Sequence, residues 1–494
     1  MSHRYSFKEG KGKLLVLSIA ALSMAGLCCI LFLVPDKSLD RMALTIALMV
    51  AAILFGANIH IGYTRFREVH TVVDGHFIIW ASFLFVYTLP AVVHLIGVEG
   101  QRRGFHDLVR TDYLPNLENI YYSLFLTFVA FVALWISLKS SKSAAKKFPS
   151  QLVLHIPFLL VLGVIFTVLG IIGTLELFTG YSSLTQGLLV VDRSREIGGG
   201  VARYAFMSQW LSWGLLFLMV FFLKTNLGKS RLAVISFAIP FAVLIVINIF
   251  WTGGRSAAIM ALVPGLFLLQ RIRTKYSVSA VIFVGLLILG YFVIVTLIRN
   301  VGSSALSSDG LVIDVLDWHI GRFSMIGLGV EMVNRYGFAW GSTLFDGIGN
   351  TINAPLILLK LPQIVETPQG ITSVAGMYLL GDPQITGIVP GTICELYYNF
   401  GVFGVAGGYF LIGKLVQKCI KIIQNTRSTG VFTLAVYVIV LICNSFIPGT
   451  FTSWVYYLAT IGFPVICLFI CELLFKKGIY GHKYIFKYKR IQST

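Results

Sequence analysis

Three short stretches of this 494-residue chain combine residue types suited to binding phosphate and activating a hydroxyl. The first is TGGRS, in which Arg255 stands between two apolar runs separated by almost nothing. An arginine at that depth is costly unless it has a partner or lines a wet cavity. Gly253 and Gly254 allow a sharp break, and Ser256 can cap the following helix, whose N-terminus attracts anions. The second is DWHIGR. His319 and Arg322 are three apart and would be neighbours on a helix, and Asp317 and Trp318 complete an acid–aromatic–histidine–arginine group. Trp318 can stack on a sugar face, His319 or Asp317 can act as general base, and Arg322 can hold a phosphate. The alternative is an amphipathic helix whose polar face simply meets water. The third is PGTICELYYNFG, where Glu395 lies one turn inside an apolar segment. A buried carboxylate needs a cationic partner, and an arginine at the same boundary is the expected one. Tyr397, Tyr398 and Asn399 keep that face polar.

The elements that must position these groups are membrane spans. Hydrophobic residues make up 57% of the chain and charged residues 12%, about half the charge content of a soluble domain. A spanning helix takes about 20 apolar residues. Twelve segments qualify: 14–34, 42–63, 77–98, 120–138, 151–175, 204–223, 232–251, 256–270, 277–298, 391–416, 430–448 and 454–475. No segment alternates as a strand would, which argues against an outer-membrane barrel. The sequence thus predicts an all-α polytopic protein, one integral membrane domain over 1–494. The first segment reads as a retained signal anchor.

The net charge of +18 would suggest a nucleic-acid partner in a soluble protein. Here it is orientation signal. With both termini cytoplasmic, 26 basic residues face four acids inside, and 13 face 17 outside. The outer basic set is eleven Arg and two Lys, against eight Arg and eighteen Lys inside. Arg is the residue for bidentate grip on phosphate or carboxylate, so the bias points to an outer site for an acidic or phosphorylated ligand. Ordinary salt bridges with the outer acids are the other reading. Residues 299–390 form a long extracytoplasmic loop between spans 9 and 10. Within it, 309–334 has helical periodicity and would lie along the membrane surface or roof a cavity.

No Walker A loop, DxD, GxSxG or HExxH occurs, and no CxxC pair suggests zinc. The seven cysteines fall within spans or at their inner ends and read as packing residues.

The span layout, the GGR turn at 253–255 and the stretch ELYYNFGVFGVAGGYFLIG at 395–413 resemble the Wzy-type oligosaccharide repeat-unit polymerases, the O-antigen polymerase family of bacteria. That resemblance implies glycosyl transfer at the outer face of the bacterial plasma membrane. The donor and the acceptor would both be polyprenyl-pyrophosphate-linked oligosaccharides. It implies no nucleotide, metal or other cofactor, and a chain-length regulator protein as a partner besides membrane lipids. By position, Arg255 and Arg299 would bind pyrophosphate, and Arg322 and Arg335 would reach from the loop to donor or acceptor. His319, Asp317 or Glu395 would activate the acceptor hydroxyl. Arg193, Arg195 and Arg203 would supply the earlier of two arginine-bearing outer loops. An O-antigen ligase, with the same donor but a lipid A core acceptor, and a lipid-linked oligosaccharide flippase are the rival readings.

Overall fold

In a bilayer a backbone has no water to bond, so an apolar run closes its hydrogen bonds within a helix. The computed structural model of the chain is accordingly helical, with no β-strand among the described residues. These are 40–69, 74–97, 117–139, 152, 156–179, 198–224, 260, 263–268, 271, 322–358, 361–366, 369–383 and 388–475. The helices are α1 (Asp40–Val69), α2 (Gly75–Phe83), α3 (Leu89–Gly97), α4 (Leu117–Lys139), α5 (Ile156–Thr179) and α6 (Gly198–Lys224). There follow α7 (Phe323–Tyr336), α8 (Ser342–Leu358), α9 (Ile371–Leu380), α10 (Thr392–Asn425), α11 (Thr429–Leu441), α12 (Phe451–Ala459) and α13 (Phe463–Phe475). A π-helical turn, Leu84–Thr88, joins α2 to α3, and another, Ile442–Phe446, extends α11.

Among the described residues, seven helical stretches are long and apolar enough to cross a membrane, and α12 with α13, bent by 53°, makes an eighth if the pair is one span. These eight coincide with the expected segments at 42–63, 77–98, 120–138, 151–175, 204–223, 391–416, 430–448 and 454–475. The expected spans at 14–34, 232–251 and 277–298 lie outside the described residues, as does most of 256–270.

Small residues bring the helices together. Gly170 and Gly173 on α5 face Leu211 and Ser208 on α6, and a Cβ on either glycine would sit 2.5 Å from that neighbour's backbone. In a membrane, where lipid competes for apolar side chains, such backbone approach is what holds helix pairs. Ser428 caps α11 at one end of the bundle, and there Glu472 accepts hydrogen bonds from Ser428 Oγ and from Gly430 N at 2.9 Å.

Helix α7 departs from expectation. The periodicity of 309–334 implied one helix lying along the membrane surface or roofing a cavity, but Arg322 has φ −137° and ψ 10°, and α7 starts at Phe323. Residues 309–321 lie outside the described residues. Phe323 through Gly329 are buried on all sides, so α7 is not a surface helix. The reason is that it serves two cores. Phe323 and Ile326 join the main cluster with α2, α4, α10 and α11, while Met325, Leu328 and Met332 pack with Ile371 and Ala375 of α9.

Gly173→Val is expected to strain the α5–α6 contact by about 1–3 kcal/mol and to lower the thermal midpoint of the detergent-solubilised protein. Gly56→Ala, which meets open space on α1, should leave that midpoint unchanged or slightly higher.

Candidate functional site

The bundle's least regular point is the break between α11 and α12. Pro448 cannot continue a helix, and the chain turns through Ile447–Gly449 before Thr450 caps α12. Carbonyls left open there have no water to turn to, and each would cost several kcal/mol unpaired in hydrocarbon. Side chains from three distant segments take them. Thr392 Oγ1 donates to the carbonyl of Phe446, Tyr87 Oη to that of Ile447 at 2.6 Å, and Arg322 Nε to that of Pro448 at 2.8 Å. The two π-helical turns meet at the same place. Ser82 Oγ donates to Cys443 O at 2.7 Å, and Val86 O accepts from Arg322 N at 2.9 Å. A π turn disrupts the regular ladder locally, which leaves such groups open to outside partners.

Arg322 is 8% exposed, and its Cβ and Cγ lie against Gly391. Gly391 holds φ +85°, and a Cβ there would meet Arg322 Cβ at 3.0 Å. A side chain at 391 is therefore excluded both by backbone conformation and by space. The guanidinium sits at the carbonyl end of α11, where the helix presents partial negative charge.

Glu395 is the opposite case. It is fully buried, and its Oε2 accepts from Phe451 N at 2.5 Å, the first amide of α12. Among the described residues its partner is a helix N-terminus, which supplies positive potential without a side chain. Oε1 has no hydrogen-bond partner among the described residues. Asp346 of α8 stands near enough for its charge to bear on Glu395. Its Oδ1 accepts from Asn350 at 2.8 Å, Thr452 bonds to it, and burial raises its carboxyl above the usual range. Asn399, one turn beyond Glu395, donates to Thr343 Oγ1 at 2.6 Å and to Glu395 O at 2.8 Å, and accepts from Gly341 N at 2.9 Å.

A second polar group lies on α7 and α9. Glu331 accepts from Asn119 Nδ2 at 2.6 Å and from Tyr378 Oη at 3.0 Å. The exposed Arg335 lies over the rings of Tyr336 and Tyr378, at 5.4 and 5.5 Å.

Of the residues expected from sequence, Arg322 and Glu395 are brought to the two sides of one helix break, and Arg335 lies in the second group. Arg193, Arg195, Arg255, Arg299, Asp317, Trp318 and His319 lie outside the described residues; Arg203 falls in α6, but its side chain is not described. Sequence reasoning passed over Tyr87, Thr392, Asp346 and Glu331. The Pro-Gly-Thr at 448–450 was the available signal for the break.

No family model matches the chain, and no curated protein or solved structure matches it. The fold itself defines a helical multi-pass membrane protein.

The two charged side chains separate by substitution. Glu395→Gln keeps an acceptor for Phe451 N and should cost little stability, whereas Glu395→Leu orphans that amide. Arg322→Met likewise orphans the Pro448 carbonyl. Each orphaned group should cost about 1–3 kcal/mol, read as a lower thermal midpoint in detergent.

Proposed function

We propose that the chain is an oligosaccharide repeat-unit polymerase of the bacterial plasma membrane. On this reading it has twelve spans, both termini are cytoplasmic, and residues 299–390 lie outside. The observation that carries the proposal is the placement of Arg322 and Glu395 at one helix break. A buried arginine and a buried carboxylate are fixed on either side of one helix break, at the end of the bundle away from the α10–α11 turn. Positively charged groups fixed beforehand are what a departing pyrophosphate needs, since they stabilise its growing charge with no reorganisation.

In the proposed reaction the acceptor hydroxyl oxygen attacks the anomeric carbon of the donor glycan. The new glycosidic bond forms as the bond to the pyrophosphate oxygen breaks, and that electron pair leaves with polyprenyl pyrophosphate. The hydroxyl proton passes to a protein base. Glu395, His319 and Asp317 remain the candidates. Arg255 and Arg299 would hold the pyrophosphates, Arg322 and Arg335 would reach from the loop to donor or acceptor, and Arg193, Arg195 and Arg203 would supply the earlier arginine-bearing outer loop.

The test is a gel of surface polysaccharide from cells whose only copy of the gene is wild type, Arg255→Ala or Arg335→Ala, with protein levels checked by immunoblot. The wild-type copy should give a ladder of repeat lengths. Each variant should lose roughly a hundredfold of the long chains, the loss typical of one preorganised donor, and accumulate single-repeat material. Normal ladders from both variants at normal protein levels would overturn the assignment. Absence of any glycan on the lipid A core in cells lacking the gene would instead favour the ligase.

A further inference from the structure

Between α7 and α8 the chain reads Gly-Phe-Ala-Trp-Gly, 337–341, and this loop is built more rigidly than a connection requires. Ala339 N donates to Tyr398 O at 3.0 Å, Trp340 N to Asn399 O at 3.1 Å, and Gly341 N to Asn399 Oδ1 at 2.9 Å. Three successive amides are thus fixed to the end of the first section of α10. Gly401 follows there with φ +63°, a kink inside the helix. Gly337 and Gly341 take φ +77° and +91°, as glycine can. Trp340 takes φ +50° without being glycine, and it alone does so among the described non-glycine residues. A backbone of that kind costs about 1–3 kcal/mol and persists only where its surroundings enforce it.

What the strained backbone holds out is an indole. Trp340 is 76% exposed, and Phe338, with its ring 5.9 Å away, is 40% exposed. Phe338 also packs on Tyr397 at 6.2 Å, and Tyr397 on Tyr122 at 5.5 Å. One turn along α4 from Tyr122 is Asn119, which holds Glu331; Glu331 holds Tyr378, over which Arg335 lies. A contact path thus joins exposed aromatic faces to fixed groups able to bond hydroxyls. Neither half suits the other's ligand alone: an acyl chain uses no guanidinium or carboxylate, and a free anion uses no indole face. A saccharide uses both, because its rings have an apolar C–H face and hydroxyls around the edge.

We propose that the 337–341 loop is a saccharide-binding platform, with Trp340 stacking on a sugar ring of the glycan while Glu331, Tyr378 and Arg335 bond hydroxyls further along it. The platform rests on the polymerase reading and adds to it the place where the growing glycan is held. A backbone fixed beforehand loses little conformational entropy on binding, which is the advantage of holding the loop in place.

The experiment uses the full-length protein in the complementation gel. Trp340 is replaced by Phe, Leu, Ala and Gly, and protein levels are measured by immunoblot. Phe keeps an aromatic face and should keep long-chain polymer within about twofold of wild type. Leu, Ala and Gly should each lower it by about fivefold or more at normal protein level. Gly is the key variant, because it removes the ring while relieving the positive φ, so its thermal midpoint in detergent should be equal to or above wild type. Full activity in the Leu variant would show a lipid contact at the membrane interface and overturn the proposal, and so would full activity in the Gly variant. Loss of polymer only in parallel with loss of protein would reduce the loop to a structural role and overturn it equally. If the wild-type copy itself makes no polymer, the polymerase reading fails first and the platform with it.

Discussion

A helix that ends inside a membrane bundle leaves backbone groups with no water to satisfy them. The described part of this protein is organised around that constraint. At the break between α11 and α12, open carbonyls draw in Thr392, Tyr87 and Arg322, while the first amide of α12 draws in Glu395. The sign of each charge matches the polarity of the helix end it meets. The same rule operates at the opposite end of α11, where Glu472 receives the Gly430 amide. Among the described residues, Arg322 and Glu395 each meet backbone at a helix end.

That arrangement bears on chemistry. A guanidinium hydrogen-bonded to a backbone carbonyl has its position fixed by the fold itself. Preorganised charge of this kind is the usual means of stabilising a leaving group. Oε1 of Glu395, near Asp346, has no hydrogen-bond partner among the described residues.

The spans were legible in the sequence because hydropathy reads transfer to lipid, which acts on each segment independently of its neighbours. Glu395 was legible for the same reason: one carboxylate in an apolar run stands out. Its partner was not, because a helix N-terminus is a property of backbone ends and has no residue type of its own. Arg322 was found, but as a helical residue, whereas its backbone is not helical and α7 starts at Phe323. Periodicity marks apolar faces, and it continues across a break that needs only one residue of unusual ψ. The π turns at 84–88 and 442–446 left no trace in composition, since each is an ordinary apolar sequence with its hydrogen bonds shifted by one residue. The 337–341 loop was visible as two glycines flanking aromatics, yet its fixation depends on Asn399, 58 residues from Gly341.

The Tyr87–Ile447 hydrogen bond closes a separation of 360 residues. Among the described residues, the side chains that cap the carbonyls of 446–449 belong to an earlier part of the chain, at 87, 322 and 392. A ribosome therefore delivers the caps before the ends they cover. The final hairpin enters a bundle whose receptors are already synthesised, and a chain halted near residue 425 would leave an arginine, a tyrosine and a glutamate waiting in the apolar interior.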